Sequence, residues 1–315
     1  MLKRDKLLEF MKTPFNPVAL VGRHTDERVA DSMRGLARHL LRHDLTVLVD
    51  RRIASELFPD GVTRVPEEQF ATRARLIIAI GGDGTLLYAA RLVAMHDVHL
   101  LGVNRGRLGF LTDVSPDDML ARLDEVLGGK YAEDRRTLLE ARLVRPGQEA
   151  RLTALNDVVL QKYDTGRMLD FETWIDGRYV NTHAGDGLVV ATATGSTAYA
   201  LSCGGPIIQP DLGVLVLAPI CPHTLSDRPV IVPSNVEVEI RLIERPDTRA
   251  LVTCDGAPLG EMTPAHRLVI APSSHCITLL HPPGHDYYRL LRSKLHWGRG
   301  GYDGPPGSGL RPAER

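Results

Sequence analysis

The stretch IIAIGGDGTLLYAA (77–90) sets one carboxylate, Asp83, among Gly81, Gly82 and Gly84, with Thr85 next and a helix-like pattern behind it. Phosphate-binding turns usually work with backbone N–H groups and a lysine, so an acid there opposes the anion that such a turn attracts. One resolution is turn chemistry alone, an Asp-Gly bend. The other is catalysis, because the carboxyl end of a strand just before a helix is where an open parallel sheet places its ligands. There a carboxylate can accept the proton of an attacking hydroxyl. The glycines let a substrate approach the main chain, and Thr85 offers phosphate a hydroxyl and an N–H.

Three further segments can join that chemistry. NRGRLGFL (104–111) is a second glycine-rich turn, and LNDVVL (155–160) brings the amide of Asn156 and the carboxylate of Asp157 out of a β segment. GDGLVVATATGSTAYALSCGGPI (185–207) supplies Asp186 and then a Thr-Gly-Ser-Thr turn leading into a short helix. The hydroxyls and N–H groups of that turn suit a ribose or a phosphate. No Walker A loop, no G-x-G-x-x-G after the first strand and no protein-kinase motif occurs. His183 and His223 lie beside these segments, where a lone histidine is more often a supporting residue than a ligand contact.

The elements that must position these residues alternate strand and helix over the first third, the pattern of a parallel sheet with crossover helices. VALVG (18–22), TVLVD (46–50), LIIAI (76–80) and HLLGVN (99–104) are apolar runs of strands buried on both faces. Between the first two, Val29, Met33, Leu36, Leu40 and Leu41 form one helical stripe. Ser115 is expected to cap a helix in SPDDMLARLDEVLGG. From about residue 137 short β segments separated by Pro and Gly predict a sandwich-like domain, with Asp176-Gly177 as a tight hairpin turn and RLVIAP and ITLLHPP as separate strands. Trp174 is expected to pack within it. The reading is an α/β domain over 15–115, a β-rich domain over 116–283, a helix over 284–298 packing back on the first domain, and a Gly/Pro-rich disordered tail over 299–315.

The 315 residues suffice for two domains, and 38 Lys+Arg against 39 Asp+Glu give no support for nucleic-acid binding. Cys203, Cys221, Cys254 and Cys276 form no C-x-x-C pair, which points to reduced thiols and no cysteine zinc site. No apolar run approaches the ~18 residues of a membrane helix. The opening MLKRDKLLEFMK lacks the marks of a secretory signal, so a cytoplasmic protein is expected.

Taken together, GGDGT, NRGRLGFL, LNDVVL, TGSTAYALSCGGPI and PHTLSDRPVIVP resemble the bacterial NAD kinases, from VALVGR to YYRLLRSKLHWG. GGDGT alone is shared with diacylglycerol kinases, sphingosine kinases and phosphofructokinases. The resemblance implies a Rossmann-like α/β N-terminal domain, a β-sandwich-like C-terminal domain, and transfer of the γ-phosphoryl group of ATP to the 2′-hydroxyl of the adenosine ribose of NAD. It makes Asp83 the proton acceptor and gives phosphate or ATP contacts to Gly81, Gly82, Gly84, Thr85 and Asn104. NAD contacts fall to Asp83, Gly84, Asn156, Asp157, Arg167, Ala184, Asp186, Thr194, Thr197, Ala198, Tyr199, Ala200, Leu201 and Ser202. Mg²⁺ arriving with ATP, no dedicated protein metal site, and a homodimer or homotetramer are also implied. The chain departs from the family at Ala193, where proline is usual, at Ala184, where relatives carry Arg or Gly, and at Ala257, where some offer glutamine. The donor range, ATP against polyphosphate, is left open. Rival readings are a lipid or sugar kinase and a non-catalytic NAD(P) sensor.

Overall fold

A computed structural model describes residues 13–106, 109–163, 168–245 and 248–296. The apolar runs become parallel strands β1 (Val18–Gly22), β2 (Val47–Asp50), β3 (Thr63–Val65), β4 (Leu76–Gly81) and β5 (His99–Asn104), side by side in the order β3-β2-β1-β4-β5. Helices α1 (Glu27–Arg42), α2 (Phe70–Arg73), α3 (Asp83–Val93) and α4 (Met119–Leu127) cover the sheet. Asp26 caps α1 by accepting the Arg28 N–H, and the stripe buries Val29, Met33, Leu36 and Leu40 against Leu20, Ile78, Leu123 and Val126. The strand order reverses between β1 and β4, so their carboxyl ends frame the crevice in which such sheets bind ligands.

The second half is antiparallel: β6 (Ala132–Arg145), β7 (Gln148–Ala154), β8 (Asp157–Lys162), β9 (Leu169–Ile175), β10 (Arg178–Gly185), β11 (Gly187–Thr192), β12 (Val214–Ile220), β13 (Val230–Pro233), β14 (Val238–Leu242), β15 (Ala250–Cys254), β16 (Ala257–Met262) and β17 (Arg267–His281). One sheet runs β13-β12-β11-β8-β15-β16. It packs through Val158, Leu160, Val190 and Val252 on Leu143, Phe171, Ile240 and Ile270 of the other, the layered core of a sandwich. Asp176 and Gly177 turn β9 into β10 with φ of 48° and 72°, the left-handed pair that a two-residue hairpin needs.

The two halves share a sheet. β17 pairs antiparallel with β14 and β6, and near its end joins β5 in parallel through Thr278 and Leu279. The expected strands RLVIAP and ITLLHPP are therefore one strand, with a register irregularity between Pro272 and Cys276 marking the Pro-Ser-Ser interruption. Ser115 does not cap α4, because the helix begins at Met119 and the Ser115 hydroxyl instead accepts the Asp117 N–H at 3.4 Å. Two short helices complete the described chain, α5 (Tyr199–Ser202) and α6 (Tyr287–Leu295), the latter burying Leu290 and Leu291. Trp174 donates to Glu172 and lies edge-on to Tyr179 at 5.4 Å, within the β half. The tail expected to be disordered lies outside the described residues.

Candidate active site

Asp83 is the first residue of α3, at the carboxyl end of β4. Gly81 reaches it with φ of 158°, and a Cβ there would strike the Thr85 side chain. The Asp83 carboxylate holds the glycine-rich turn after β5. Oδ2 accepts the Phe110 N–H at 2.7 Å, while Oδ1 accepts the N–H groups of Leu111 (3.0 Å) and Thr112 (3.2 Å) and the Thr112 hydroxyl (3.1 Å). Oδ2 thus carries a single bond among the described residues and retains capacity for another. A cavity of about 850 Å³ opens beside the turn, lined by Gly82, Gly84, Thr85, Tyr88 and the basic Arg23 and Arg52.

The segment 155–157 is fixed from the neighbouring strand of its own sheet, β15. Asp255, in the left-handed turn between β15 and β16 (φ 48°), accepts the N–H groups of Leu155, Asn156 and Asp157 at 2.7, 2.8 and 3.1 Å. With its main chain pinned, Asn156 buries its side-chain Oδ1 with no partner among the described residues. A buried unpaired carbonyl is costly unless a ligand donates to it. Asp157 is buried too. Burial and then the Asp255 charge push it up to about 7, offset in part by the Tyr199 N–H. Burial raises Asp255 as well, an effect that its three N–H donors oppose.

The Thr-Gly-Ser-Thr turn follows β11. Thr192 donates to the Leu155 carbonyl at 2.6 Å, and a Cβ on Gly195 would overlap the Asn156 carbonyl, so this turn and the 155–157 segment fit only in close contact. Thr194 accepts from Arg136, a guanidinium only 3% exposed, at 3.1 Å. Arg136 also holds Asp134, and from there a buried chain continues. His281 sits between Asp134 (Nε2, 3.2 Å) and Asp113 (Nδ1, 2.9 Å), and Asp113 also meets His285 at 2.7 Å. Asp113 is covalently next to Thr112, which holds Asp83. Burial alone would raise Asp113, but its two histidine bonds outweigh that and hold it at about 2. Burial likewise works against charge on His281, yet its two carboxylates raise it to about 8.

Comparison with known proteins decides what this arrangement is. The ATP-NAD kinase N-terminal domain matches residues 18–131 and the ATP-NAD kinase C-terminal domain residues 155–281. The chain belongs to the ATP-NAD kinase family. The NAD kinase of Azoarcus sp. is 44% identical over 289 residues, covering 91% of this chain and 98% of that protein. The NAD kinase of Chromohalobacter salexigens is 42% identical, covering 90% and 97%. Among solved structures, yeast NADH kinase complexed with NADH aligns with a TM-score of 0.86 at 23% identity, over 92% of this chain and 89% of that one, a likeness of fold. An NAD kinase from Archaeoglobus fulgidus in complex with ATP aligns with a TM-score of 0.69 at 25% identity, over 89% and 98%.

The NAD-kinase motif residues are distributed unevenly around this site. Gly82, Gly84 and Thr85 line the cavity. Asn104 is 4% exposed and spends its Oδ1 on the Gly106 N–H, which shapes the turn from within. Asp186 is paired with Lys162 at 2.6 Å, and Ala184 accepts the His223 N–H. Thr197, Ala198, Tyr199, Ala200, Leu201 and Ser202 follow Thr194 through a 3₁₀ turn into α5, with Ala200 buried and Tyr199 and Ser202 exposed. Arg167 lies outside the described residues. His183 stacks on Phe171 and bonds Asp227, an internal pair. Sequence reasoning missed Arg136, Asp134, Asp113, His281, Asp255 and Lys162, whose partners lie far away along the chain.

Proposed function

We infer that Asp83 is the base in the phosphorylation of NAD by ATP. The 2′-hydroxyl oxygen of the adenosine ribose attacks the γ-phosphorus, the bond to the bridging oxygen of the leaving ADP breaks, and the hydroxyl proton passes to Asp83 Oδ2. A ribose hydroxyl is too weak an acid to ionise at neutral pH, so the carboxylate need only take the proton as the new P–O bond forms. That effect is worth roughly 10²–10⁴ in rate. The observation that carries this reading is the position of Asp83, at the carboxyl end of β4 where the strand order reverses, with one oxygen incompletely bonded.

Supporting groups follow from the same geometry. The N–H groups of Gly82 and Gly84, the Thr85 hydroxyl and the arginines of the cavity suit ATP phosphates, with Gly81 and Asn104 shaping the turn; the expected Thr85 N–H is instead given to the Gly82 carbonyl at 2.9 Å. The buried Asn156 Oδ1 and the Asp157 carboxylate suit N–H and O–H donors of the dinucleotide. Thr194, Thr197, Tyr199 and Ser202 are assigned to the dinucleotide by motif, as are Asp186, Ala184 and Arg167.

A divalent cation, which kinases of this kind use, supplies neutralisation of phosphate charge. Mg²⁺ fits the donor set as a cation carried on the triphosphate. The acids of the cavity, Asp50 and Glu67, are already tied to Arg52, which leaves the Thr85 hydroxyl as the hard oxygen at the turn. A cytoplasmic setting accords with four free cysteines and with the absence of a helix long and apolar enough to cross a membrane among the described residues. A homodimer or homotetramer accords with β13, an edge strand among the described residues, where Val230 and Ile231 are exposed.

The deciding experiment gives the purified chain NAD, Mg²⁺ and either ATP or polyphosphate and measures NADP. ATP-dependent NADP formation is expected, and Asp83→Asn is expected to lower turnover at least ~10²-fold with NAD still bound. Near-wild-type turnover of Asp83→Asn would leave Asp83 as an anchor of the 110–112 turn and nothing more.

A further inference from the structure

We propose that His39, His43 and Asp124 form a binding site for a divalent transition-metal ion, best suited to Zn²⁺, that clamps α1 to α4. The third residue lies 81 or more positions from the two histidines, so no sequence motif joins the three. His39 and His43 are four residues apart at the end of α1, the spacing that puts two side chains on one helical face. Asp124 comes from the facing side of α4. Both imidazoles turn the same atom, Nε2, toward the same carboxylate oxygen, Asp124 Oδ1, at 2.5 Å for His39 and 3.7 Å for His43. The two rings stand 4.7 Å apart at 68°, splayed as neighbouring imidazole ligands of one ion are. All three donor atoms fall within 4.8 Å of one another.

His39 meets Asp124 at hydrogen-bond distance, and His43 approaches the same oxygen as an ion pair, so both imidazoles already converge on one carboxylate oxygen. Tetrahedral bonds of about 2.0–2.1 Å set donors about 3.3 Å apart, so an ion is admitted once the Asp124 carboxylate shifts by less than about 1 Å away from His39 and toward His43. Two imidazoles and one carboxylate are borderline ligands that suit Zn²⁺ and disfavour Mg²⁺ or Ca²⁺. The site is rigidly supported, because Met33, Leu36 and Leu40 of α1 and Leu123, Val126 and Leu127 of α4 share one buried core. Its outer side is open, with the Asp124 side chain 41% exposed, so water can complete the shell. α1 runs back against the strand direction, which puts its last turn at the edge of the sheet opposite Asp83. The ion therefore serves structure, and catalysis is independent of it.

The test titrates zinc chloride into tag-free, chelator-stripped full-length chain by calorimetry. One equivalent is expected to bind in the micromolar range or tighter and to raise the melting temperature. His43→Ala and Asp124→Asn should each weaken binding at least about tenfold, and His43→Ala should keep wild-type NAD phosphorylation. Wild-type binding weaker than about 100 μM, or unchanged affinity in both variants, would overturn the site; the second result would move the ion to the Asp113–His281–His285 cluster. If the variants fail to fold, a wild-type crystal grown with zinc decides. An anomalous peak between His39, His43 and Asp124 supports the site, and its absence there overturns it.

Discussion

Gly109 lies so close to Asp83 that a Cβ built on it would overlap the carboxylate oxygen Oδ1. The glycine is what allows residues 110–112 to fold over the acid and donate to it. Gly109→Ala should therefore leave the β4 and α3 frame intact while displacing the carboxylate, lowering kcat at least about tenfold with a smaller change in KM for NAD. Gly84 is the control, since a Cβ there meets nothing within 4 Å. Gly84→Ala should keep the melting temperature and affect chiefly KM for ATP, because the residue faces the cavity. Steady-state kinetics of the two variants separates the effects.

Asp157 sets stability against function. Its folded pKa of about 7 lies above the ordinary 3.8, so between those values the folded chain holds a proton that the unfolded chain has released. Stability from this residue is consequently lost as pH rises from about 4 to 7. Asp157→Asn removes the buried charge beside Asp255 and should raise the melting temperature at pH 8. The same change should raise KM for NAD at least about tenfold, as a charge-assisted acceptor for the dinucleotide is gone. Thermal melts at pH 5 and pH 8 check the first part, because the gain should shrink at the lower pH.

What the sequence made legible was local. Strands buried on both faces announce themselves as β1, β4 and β5 do, and a glycine-flanked acid at a strand end announces a site. Asp255 was illegible because its three N–H donors lie 98 to 100 residues away, and nothing in CDGA distinguishes an anchor from a hairpin turn. The same distance hides His281 from Asp113, 168 residues apart. β7 and β16 carry weak strand signals for another reason. Gln148–Ala154 is mostly polar on an outer position of the sheet, and Ala257–Met262 carries a proline and a glycine that read as loop. The Asp176-Gly177 turn, whose determinants are adjacent residues, was readable.

The open edge of β13 carries a prediction about assembly. Val230 and Ile231 are 47% and 49% exposed, and Leu225, just upstream, is 90% exposed. An apolar edge of this kind invites pairing with a second copy. Val230→Lys with Ile231→Lys should shift sedimentation toward a smaller species without unfolding the chain. A wild-type protein that already sediments as a monomer would remove the basis for this expectation.

His281 predicts an alkaline loss of stability distinct from that of Asp157. Both of its ring nitrogens face carboxylate oxygens, which accept only, so the ring must carry both protons to satisfy them. Its folded value of about 8 exceeds the ordinary 6.5; the stabilisation is complete below about 6.5 and disappears as pH rises through 8. Asp113, held at about 2, acts at the other end, contributing above its ordinary 3.8 and failing as pH falls toward 2. Loss of the His281 proton leaves Asp113 and Asp134 facing a neutral ring, with Arg136 holding Asp134 on its far side and His285 stacked at 3.7 Å. Because Asp113 adjoins the turn that grips Asp83, the same titration should depress kcat above pH 8. In an Asp157→Asn background, which removes the competing titration, the melting temperature should fall between pH 7 and 9, and His281→Gln should flatten that limb at a cost of order 2 kcal/mol at pH 6. A parallel decline in both backgrounds would assign the alkaline limb to some other group.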